Sequence, residues 1–110
     1  MGYSDNIVIG FISIDTEANA KKLAKHLVES RLAACVSILP GIHSVYRWKD
    51  KIESATEVLL LVKTLAQNSK RLSEEVLHLH PYETPEVVFI DIADGLPEYL
   101  SWLKSCVEIK

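Results

Sequence analysis

The chain has 110 residues, of which 48% are hydrophobic and 25% are charged, with a formal net charge of -3. This length and composition predict one globular domain over residues 1–110, small enough for oligomerisation to add much of its stability. Proteins that bind nucleic acid or an anionic membrane carry an excess of basic residues, and the negative net charge of this chain argues against both functions. No apolar run approaches the roughly 18 residues that span a bilayer and no basic segment opens the chain, so we expect a cytoplasmic protein.

The first two predicted elements are a buried strand and an amphipathic helix. Residues 7–14 are largely apolar and β-branched without polar alternation, which is typical of a strand covered on both faces. Asp15 and Thr16 are cap-type residues, and the helix that they introduce should end near Arg31. Apolar residues recur along it at helical spacing, at Ala20, Leu23, Ala24, Leu27 and Val28.

A long hairpin follows the first helix. Residues 33–48 predict a strand that Pro40 and Gly41 should bend. Residues 49–51 form the predicted hairpin tip, because the apolar run 58–62 lies within reach for antiparallel pairing. The sequence therefore predicts a second and a third strand that are joined by a tight turn.

Two further helices and two further strands complete the predicted order: helices at residues 67–79 and 97–103, and strands at residues 87–92 and 106–109. Leu72, Val76 and Leu79 should form the buried stripe of the first of these helices. The apolar strand after it should be buried as well. The order β-α-β-β-α-β with a carboxy-terminal helix or strand is that of an α+β, ferredoxin-like fold.

The predicted hairpin carries more apolar surface than two helices of this length could cover, at Val45, Tyr46, Trp48, Ile52, Leu59 and Leu61. Monomers rarely leave large apolar patches in water, so we expect the sheet face to be buried by self-association. We interpret Tyr46 and Trp48 as interface anchors in preference to walls of a ligand pocket, because aromatic residues are enriched at interfaces.

The segment from residue 80 to residue 86, His-Pro-Tyr-Glu-Thr-Pro-Glu, carries the candidate site residues. Each proline fixes its own φ and favours extended geometry in the residue before it, so a shaped connection between helix and strand is predicted. Neutral imidazole suits copper and zinc, so His80 is either a metal ligand or a hydrogen-bonded structural residue. Glu86 is likewise either a metal ligand or a structural residue. Glu83 fits a structural role better, and Tyr82 fits a packed ring with a bonded hydroxyl.

The two cysteines are predicted to be free thiols, because they are far apart and lack a CxxC spacing. Cys35 lies between Ala34 and Val36 and should be buried and inert in a core strand, whereas Cys106 should be the more accessible thiol.

Three separated segments resemble the CutA divalent-cation tolerance proteins: residues 31–36, residues 44–48 with Lys51 and Glu53 after them, and residues 80–86. The resemblance covers nearly the whole chain. It implies a ferredoxin-like protomer in a tight homotrimer, with strands contributed across subunit boundaries. It also implies divalent-cation binding, copper especially, a role in metal tolerance, and no enzymatic activity.

The number and type of these residues predict what kind of metal site His80, Glu83 and Glu86 would form. With so few ligands in one chain, the site should be open and weak and be completed by water or a neighbouring subunit, and folding should not need metal. Some members of the family carry a copper-associated cysteine near the end of the first strand. This chain has Ser13 there, which argues against a soft copper(I) site.

Two other classes of function stay open at this point. One is a trimeric scaffold or a regulator that binds a small metabolite, like the similarly folded PII signalling proteins, and fold analogy does not separate it from a metal binder. The other is an enzyme. No nucleophile and base, and no paired general acid and base, are evident in the sequence, which weakens that reading.

Overall fold

The computed structural model of the chain describes residues 6–110, which form one antiparallel four-stranded sheet and three α-helices. The strands are β1 (Ile7–Ile14), β2 (Cys35–Trp48), β3 (Lys51–Leu65) and β4 (Val87–Asp91), and the helices are α1 (Glu17–Glu29), α2 (Ser69–Leu79) and α3 (Pro97–Cys106). A short 3-10 turn over Ala66–Asn68 leads into α2. The predicted order of elements is confirmed as far as α3. Residues 1–5, on which the expectation of no basic leader partly rests, lie outside the described residues.

The sheet has the order β2-β3-β1-β4, and every neighbouring pair is antiparallel. Helices α1 and α2 cover one face, where alternate residues of β1 and β3 pack on Leu23, Leu27, Leu72 and Val76. Helix α3 covers one end of the opposite face, with Leu103 packed in a cluster with Ile7 and Leu65. In the described part of the chain, no helix has the length and apolar character needed to cross a membrane.

Local sequence explains both ends of α1. The Thr16 hydroxyl accepts a hydrogen bond from the Asn19 N–H at 3.1 Å, which satisfies one of the free donors of the first turn. At the other end, Arg31 adopts φ 63°, the left-handed conformation that commonly terminates helices. The predicted cap and end of this helix are therefore confirmed, although Val28 at the border of its apolar stripe is exposed.

The far half of the long hairpin extends beyond the sheet as an arm, defined here as residues 42–48 and 51–57. Strand β3 pairs with β1 only from Val58 onward, so the arm strands pair with each other alone. The predicted bend is confirmed, since the register shifts between Leu39 and Ile42 and Gly41 adopts φ 77°. At the tip, Lys49 and Asp50 both have positive φ, as a two-residue hairpin turn requires. The arm gives the protomer its extent of 45 Å along one axis against 25 and 23 Å along the others.

The sheet surface that the helices do not cover is called the open face here, and it comprises Ile9, Phe11, Leu59, Leu61, Val88 and Ile90. The expectation that the fourth strand is fully buried is wrong for the protomer. Strand β4 is an edge strand, and only Val87 and Phe89 turn toward the core, while Val88 and Ile90 are 52% and 51% exposed. A long apolar run thus identified the strand but not its position at the edge of the sheet.

Two other expectations about the carboxy-terminal half need correction. Leu79 is 50% exposed and lies outside the buried stripe of α2, which Leu72 and Val76 form. The predicted strand at residues 106–109 is absent from the described residues. Instead Cys106 ends α3, and the Glu108 N–H donates to the Arg31 carbonyl at 2.9 Å. The tail is held further by buried Asn68, whose amide donates to the Glu108 carbonyl at 2.7 Å.

A hydrogen bond between the two helices gives the fold a pH dependence. The His26 Nε2 and Glu75 Oε2 atoms lie 2.7 Å apart, joining α1 to α2, and this hydrogen bond holds the pKa of Glu75 below its usual value of 4.5. A carboxyl group with a lowered folded-state pKa stabilises the fold above its unfolded-state pKa, and that contribution is lost as the pH falls through the folded-state value.

We therefore expect Glu75→Gln to lower the midpoint of urea unfolding at pH 6, and the difference from wild type to shrink below about pH 4.5. Urea titrations across that range, with Glu74→Gln on the same helix as the control, check this. A difference that does not depend on pH would show that the lowered pKa of Glu75 contributes nothing to stability.

Candidate functional site

The loop at residues 80–86 connects α2 to β4 and lies beside the end of β1 and the base of the arm. Together they border an open cavity of about 670 Å³, called the acidic pocket here. Its lining residues are Ser13, Ser44, Val45, Tyr46, Trp48, Glu57, Tyr82, Glu83, Thr84 and Glu86. The lining includes three carboxylates and no lysine, arginine or histidine. Two of the three predicted metal ligands, Glu83 and Glu86, therefore face one cavity, and the third, His80, lies beside it.

Both ring nitrogens of His80 form hydrogen bonds, and the residue is only 7% exposed. The Tyr82 N–H donates to His80 Nδ1 at 3.0 Å, so Nδ1 is the acceptor and the proton is assigned to Nε2. Nε2 then donates to the Ser13 carbonyl at 2.7 Å. In this arrangement the ring ties the loop to β1, and neither nitrogen offers a free lone pair to an ion.

Tyr82 ties the same loop to the arm. Its hydroxyl donates to Glu57 Oε2 at 2.7 Å, and its ring lies 4.7 Å from the His80 ring, centroid to centroid. Burial raises the pKa of Tyr82 well above its usual range, and the hydrogen bond to the Glu57 carboxylate raises it further. Tyr82 is therefore a neutral hydrogen-bond donor at any physiological pH.

Glu86 lies over the end of β1, where the Ser13 hydroxyl donates to its Oε1 atom at 3.2 Å. Glu83 is exposed at the rim of the acidic pocket. Within residues 6–110, no three His, Cys, Asp or Glu side chains gather closely enough to hold a metal ion. A metal ion held by Glu86 in one protomer would therefore need water or a neighbouring subunit to complete its coordination.

Glu57 is the pocket residue that the sequence analysis missed. It is 7% exposed and lies on β3 opposite Ile42. The sequence does contain a signal for it, because a carboxylate directly before the apolar run 58–62 is unusual in a paired strand and needs a partner when buried. The partner, Tyr82, is distant in sequence and comes close only through the fold.

The remaining predicted residues lie at the edges of the sheet. Tyr46 and Trp48 are half-exposed on the arm and also line the acidic pocket, so in the protomer they are available to a partner subunit and to a ligand. Both cysteines are free thiols, as predicted. The expectation that Cys35 is buried in a core strand is wrong, since β2 is an edge strand and Cys35 is only partly covered. Its Sγ atom lies 3.6 Å from the Tyr99 hydroxyl, and this contact raises the pKa of Tyr99.

Comparisons with known proteins agree with one another. A family model described as CutA1 divalent ion tolerance protein matches residues 8–106. The divalent-cation tolerance protein CutA of Thermus thermophilus is 50% identical over 93 residues, which are 84% of this chain and 90% of that protein.

Solved structures match over nearly the whole chain as well. CutA1 from Oryza sativa superposes with a TM-score of 0.94 at 34% identity, covering 99% of this chain and 100% of that one. The protein named periplasmic divalent cation tolerance protein CutA from Archaeoglobus fulgidus gives a TM-score of 0.90 at 39% identity, covering 93% and 99%. The likeness includes the strands and the loop that form the acidic pocket, since they lie within the matched residues.

Proposed function

The chain belongs to the CutA1 divalent ion tolerance family, and from that premise we propose that it is a homotrimer that binds divalent cations of the copper and zinc class. One observation supports the metal site most strongly. The loop at residues 80–86 brings Glu83 and Glu86 to the same cavity as buried Glu57, and none of the described residues that line this cavity is basic. A concentration of carboxylates without countercharges attracts cations. The proposal contains no catalytic step.

The trimer is supported by two apolar surfaces of the protomer. A two-stranded hairpin alone is marginally stable in water, and the arm exposes Val45, Tyr46, Trp48 and Ile52. The open face adds a second apolar patch on the sheet. We describe the protomer as one ferredoxin-like domain, because its strand order and its two helices on one face agree with that fold.

The proposed ligands have different roles. Glu86 is the principal ligand, because a carboxylate that accepts one hydrogen bond from Ser13 keeps further lone pairs for an ion. Glu83 is the second. His80 ligates only if it releases the Tyr82 N–H or the Ser13 carbonyl, and otherwise it positions the loop. With a serine hydroxyl and no thiolate at the end of β1, we expect copper(II) and zinc in preference to copper(I).

The site is open and weak, so folding does not require it to be filled. Addition of a chelator should accordingly leave the melting temperature unchanged. We propose that the protein is cytoplasmic, and cell fractionation tests this proposal against the location in the name of the Archaeoglobus fulgidus protein, which is called periplasmic.

Calorimetric titration of the assembled protein with Cu²⁺, Zn²⁺ and Mg²⁺ tests the metal site. We expect Cu²⁺ and Zn²⁺ to bind more tightly than Mg²⁺, and Glu86→Gln to weaken their binding by about tenfold or more, because a ligating charge is removed. Glu74→Gln, on the exposed surface of α2, should bind as wild type does. Equal Cu²⁺ affinity in wild type and Glu86→Gln would refute the assignment of Glu86.

A second candidate function is a trimeric scaffold or metabolite-binding regulator. It is favoured by the volume of the acidic pocket, about 670 Å³, and by the aromatic residues that line it. Calorimetric titration of the metal-free protein with common nucleotides separates the two functions, since a regulator of this kind would bind an organic ligand in the absence of metal.

A further inference from the structure

The base of the arm is a point where the sheet can bend. Strand β3 pairs with β1 only from Val58 onward, and the ladder between β2 and β3 is interrupted between Leu39 and Ile42. Gly41, with φ 77°, lies in that interruption. A two-stranded hairpin is marginally stable by itself and a strand bends at a bulge, so contacts at the base of the arm have a large influence on its position.

One side chain of the loop at residues 80–86 holds this base. The Tyr82 hydroxyl donates to Glu57 Oε2 at 2.7 Å, and Glu57 is the last arm residue before β3 joins β1. Among residues 6–110, no other side-chain hydrogen bond and no ion pair involves the arm. Glu57 is 7% exposed, so loss of this bond would leave a buried carboxylate oxygen without its partner, which is costly.

Further hydrogen bonds continue from Tyr82 to Glu86. The Tyr82 N–H donates to His80 Nδ1 at 3.0 Å, and His80 Nε2 donates to the Ser13 carbonyl at 2.7 Å. The Ser13 hydroxyl in turn donates to Glu86 Oε1 at 3.2 Å. His80 and Ser13 are each 7% exposed, and a buried polar group that loses its partner is costly in such a low-dielectric setting. A continuous series of hydrogen bonds therefore connects Glu57 on the arm with Glu86 at the proposed metal site.

A change at one end of this series has consequences at the other. If the arm moves at its base, Tyr82 must either follow Glu57 or lose its hydrogen bond, and a Tyr82 that follows displaces the His80 ring that it contacts. We propose that the bond between Tyr82 and Glu57 couples the arm to the loop at residues 80–86, so that the position of the arm and the orientation of Glu86 change together. Such coupling is reciprocal, so a cation bound at Glu86 stabilises the arm. Only this last consequence rests on the proposed metal site.

Hydrogen–deuterium exchange of the intact, metal-free protein, measured by mass spectrometry, tests the coupling. Tyr82→Phe removes only the hydroxyl that reaches the arm. We expect the amides of residues 42–57 to exchange about tenfold faster in this variant, because a lost hydrogen bond to a charged group lowers the free energy of local opening. Amides of residues 58–65, which pair with β1, should exchange as in wild type. That difference separates loosening of the arm from a general loss of stability.

Two further variants complete the test. Tyr99→Phe is the matched control, because it removes a tyrosine hydroxyl that contacts Cys35 Sγ on β2, outside the arm, and it should leave exchange of the arm unchanged. His80→Ala removes a side chain that forms no hydrogen bond with the arm. It should nevertheless speed exchange of the arm, because it releases the backbone of Tyr82. Should His80→Ala fail to fold, Tyr82→Phe alone decides the outcome.

Measurements with Zn²⁺ distinguish failure of this inference from failure of the metal site. Saturating Zn²⁺ should slow exchange of the arm in wild type, and should slow it less in Tyr82→Phe. If wild type binds no Zn²⁺, the proposed metal site is refuted, and the metal-free comparison still decides the coupling.

The inference is overturned if the arm of metal-free Tyr82→Phe exchanges as in wild type, or if exchange rises equally at residues 58–65. It is also overturned if a folded His80→Ala variant leaves exchange of the arm unchanged, or if bound Zn²⁺ slows the arm by the same factor in wild type and Tyr82→Phe.

Discussion

The purified protein should sediment as a single species of about three times 12.4 kDa, and Ile90→Asp should abolish that species. Ile90 is 51% exposed on the open face of the protomer, beside Val88 on the edge strand β4. If the open face is buried on assembly, the variant places an unpaired carboxylate in an apolar interface, at a cost of about 3 kcal/mol or more per subunit. Because each subunit would carry the same defect, the trimer should fall apart.

Sedimentation velocity at micromolar concentration measures this effect. Ile109→Asp is the matched control, since Ile109 is equally exposed but lies in the tail after α3. On the arm, Trp48→Ala should weaken assembly by about 2 kcal/mol if the indole is a buried anchor. A stable folded monomer of the wild-type protein, or an intact Ile90→Asp trimer, would contradict the assembly proposed here.

His80→Ala should be the most destabilising single substitution in the loop at residues 80–86. The ring is 7% exposed and joins the Tyr82 N–H to the Ser13 carbonyl, at 3.0 and 2.7 Å. Its removal leaves both backbone groups without partners and opens a cavity beneath Tyr82. Each unsatisfied buried group costs about 1–3 kcal/mol, so a total loss of about 2–6 kcal/mol is expected.

Chemical denaturation of the metal-free protein measures that loss without any contribution from ligation. His78→Ala, an exposed histidine on the last turn of α2, is the control and should change the stability by less than about 0.5 kcal/mol. Equal stabilities of the two variants would show that the His80 hydrogen bonds contribute little. The position would then be available to serve chiefly as a metal ligand.

Local sequence predicted the elements whose formation depends on local chemistry. The largely apolar run at residues 7–14 gave the limits of β1, and Thr16 gave the start of α1. In each case the signal and the structure it specifies lie within a few residues of each other.

Burial depended on topology and was predicted less well. Cys35 and Val88 lie in apolar strands that the sequence alone cannot place at the edge of a sheet, and both are partly or largely exposed for that reason. The tail at residues 107–110 has strand-like composition. Its hydrogen bonds go to Lys104, to Arg31 and to the buried side chain of Asn68, and it pairs with no strand among the described residues.

In the candidate site, too, local signals were predicted and long-range contacts were not. His80, Tyr82 and Glu86 were identifiable because they share one short segment with two prolines. Glu57 was not, because its hydrogen bond to Tyr82 spans 25 residues of sequence. The bond of Ser13 to Glu86, which spans 73 residues, was not predicted either. Long-range pairing of this kind follows from the sheet register, which a single sequence does not specify.

Anomalous X-ray scattering from crystals of the assembled protein grown with Zn²⁺ tests the proposed metal site most directly. We predict a zinc peak in the acidic pocket at about 2.0–2.2 Å from a carboxylate oxygen of Glu86, with the remaining positions filled by water, Glu83 or a neighbouring subunit. A fully loaded crystal with no peak at Glu86, and with zinc only at surface histidines such as His26 or His78, would contradict it.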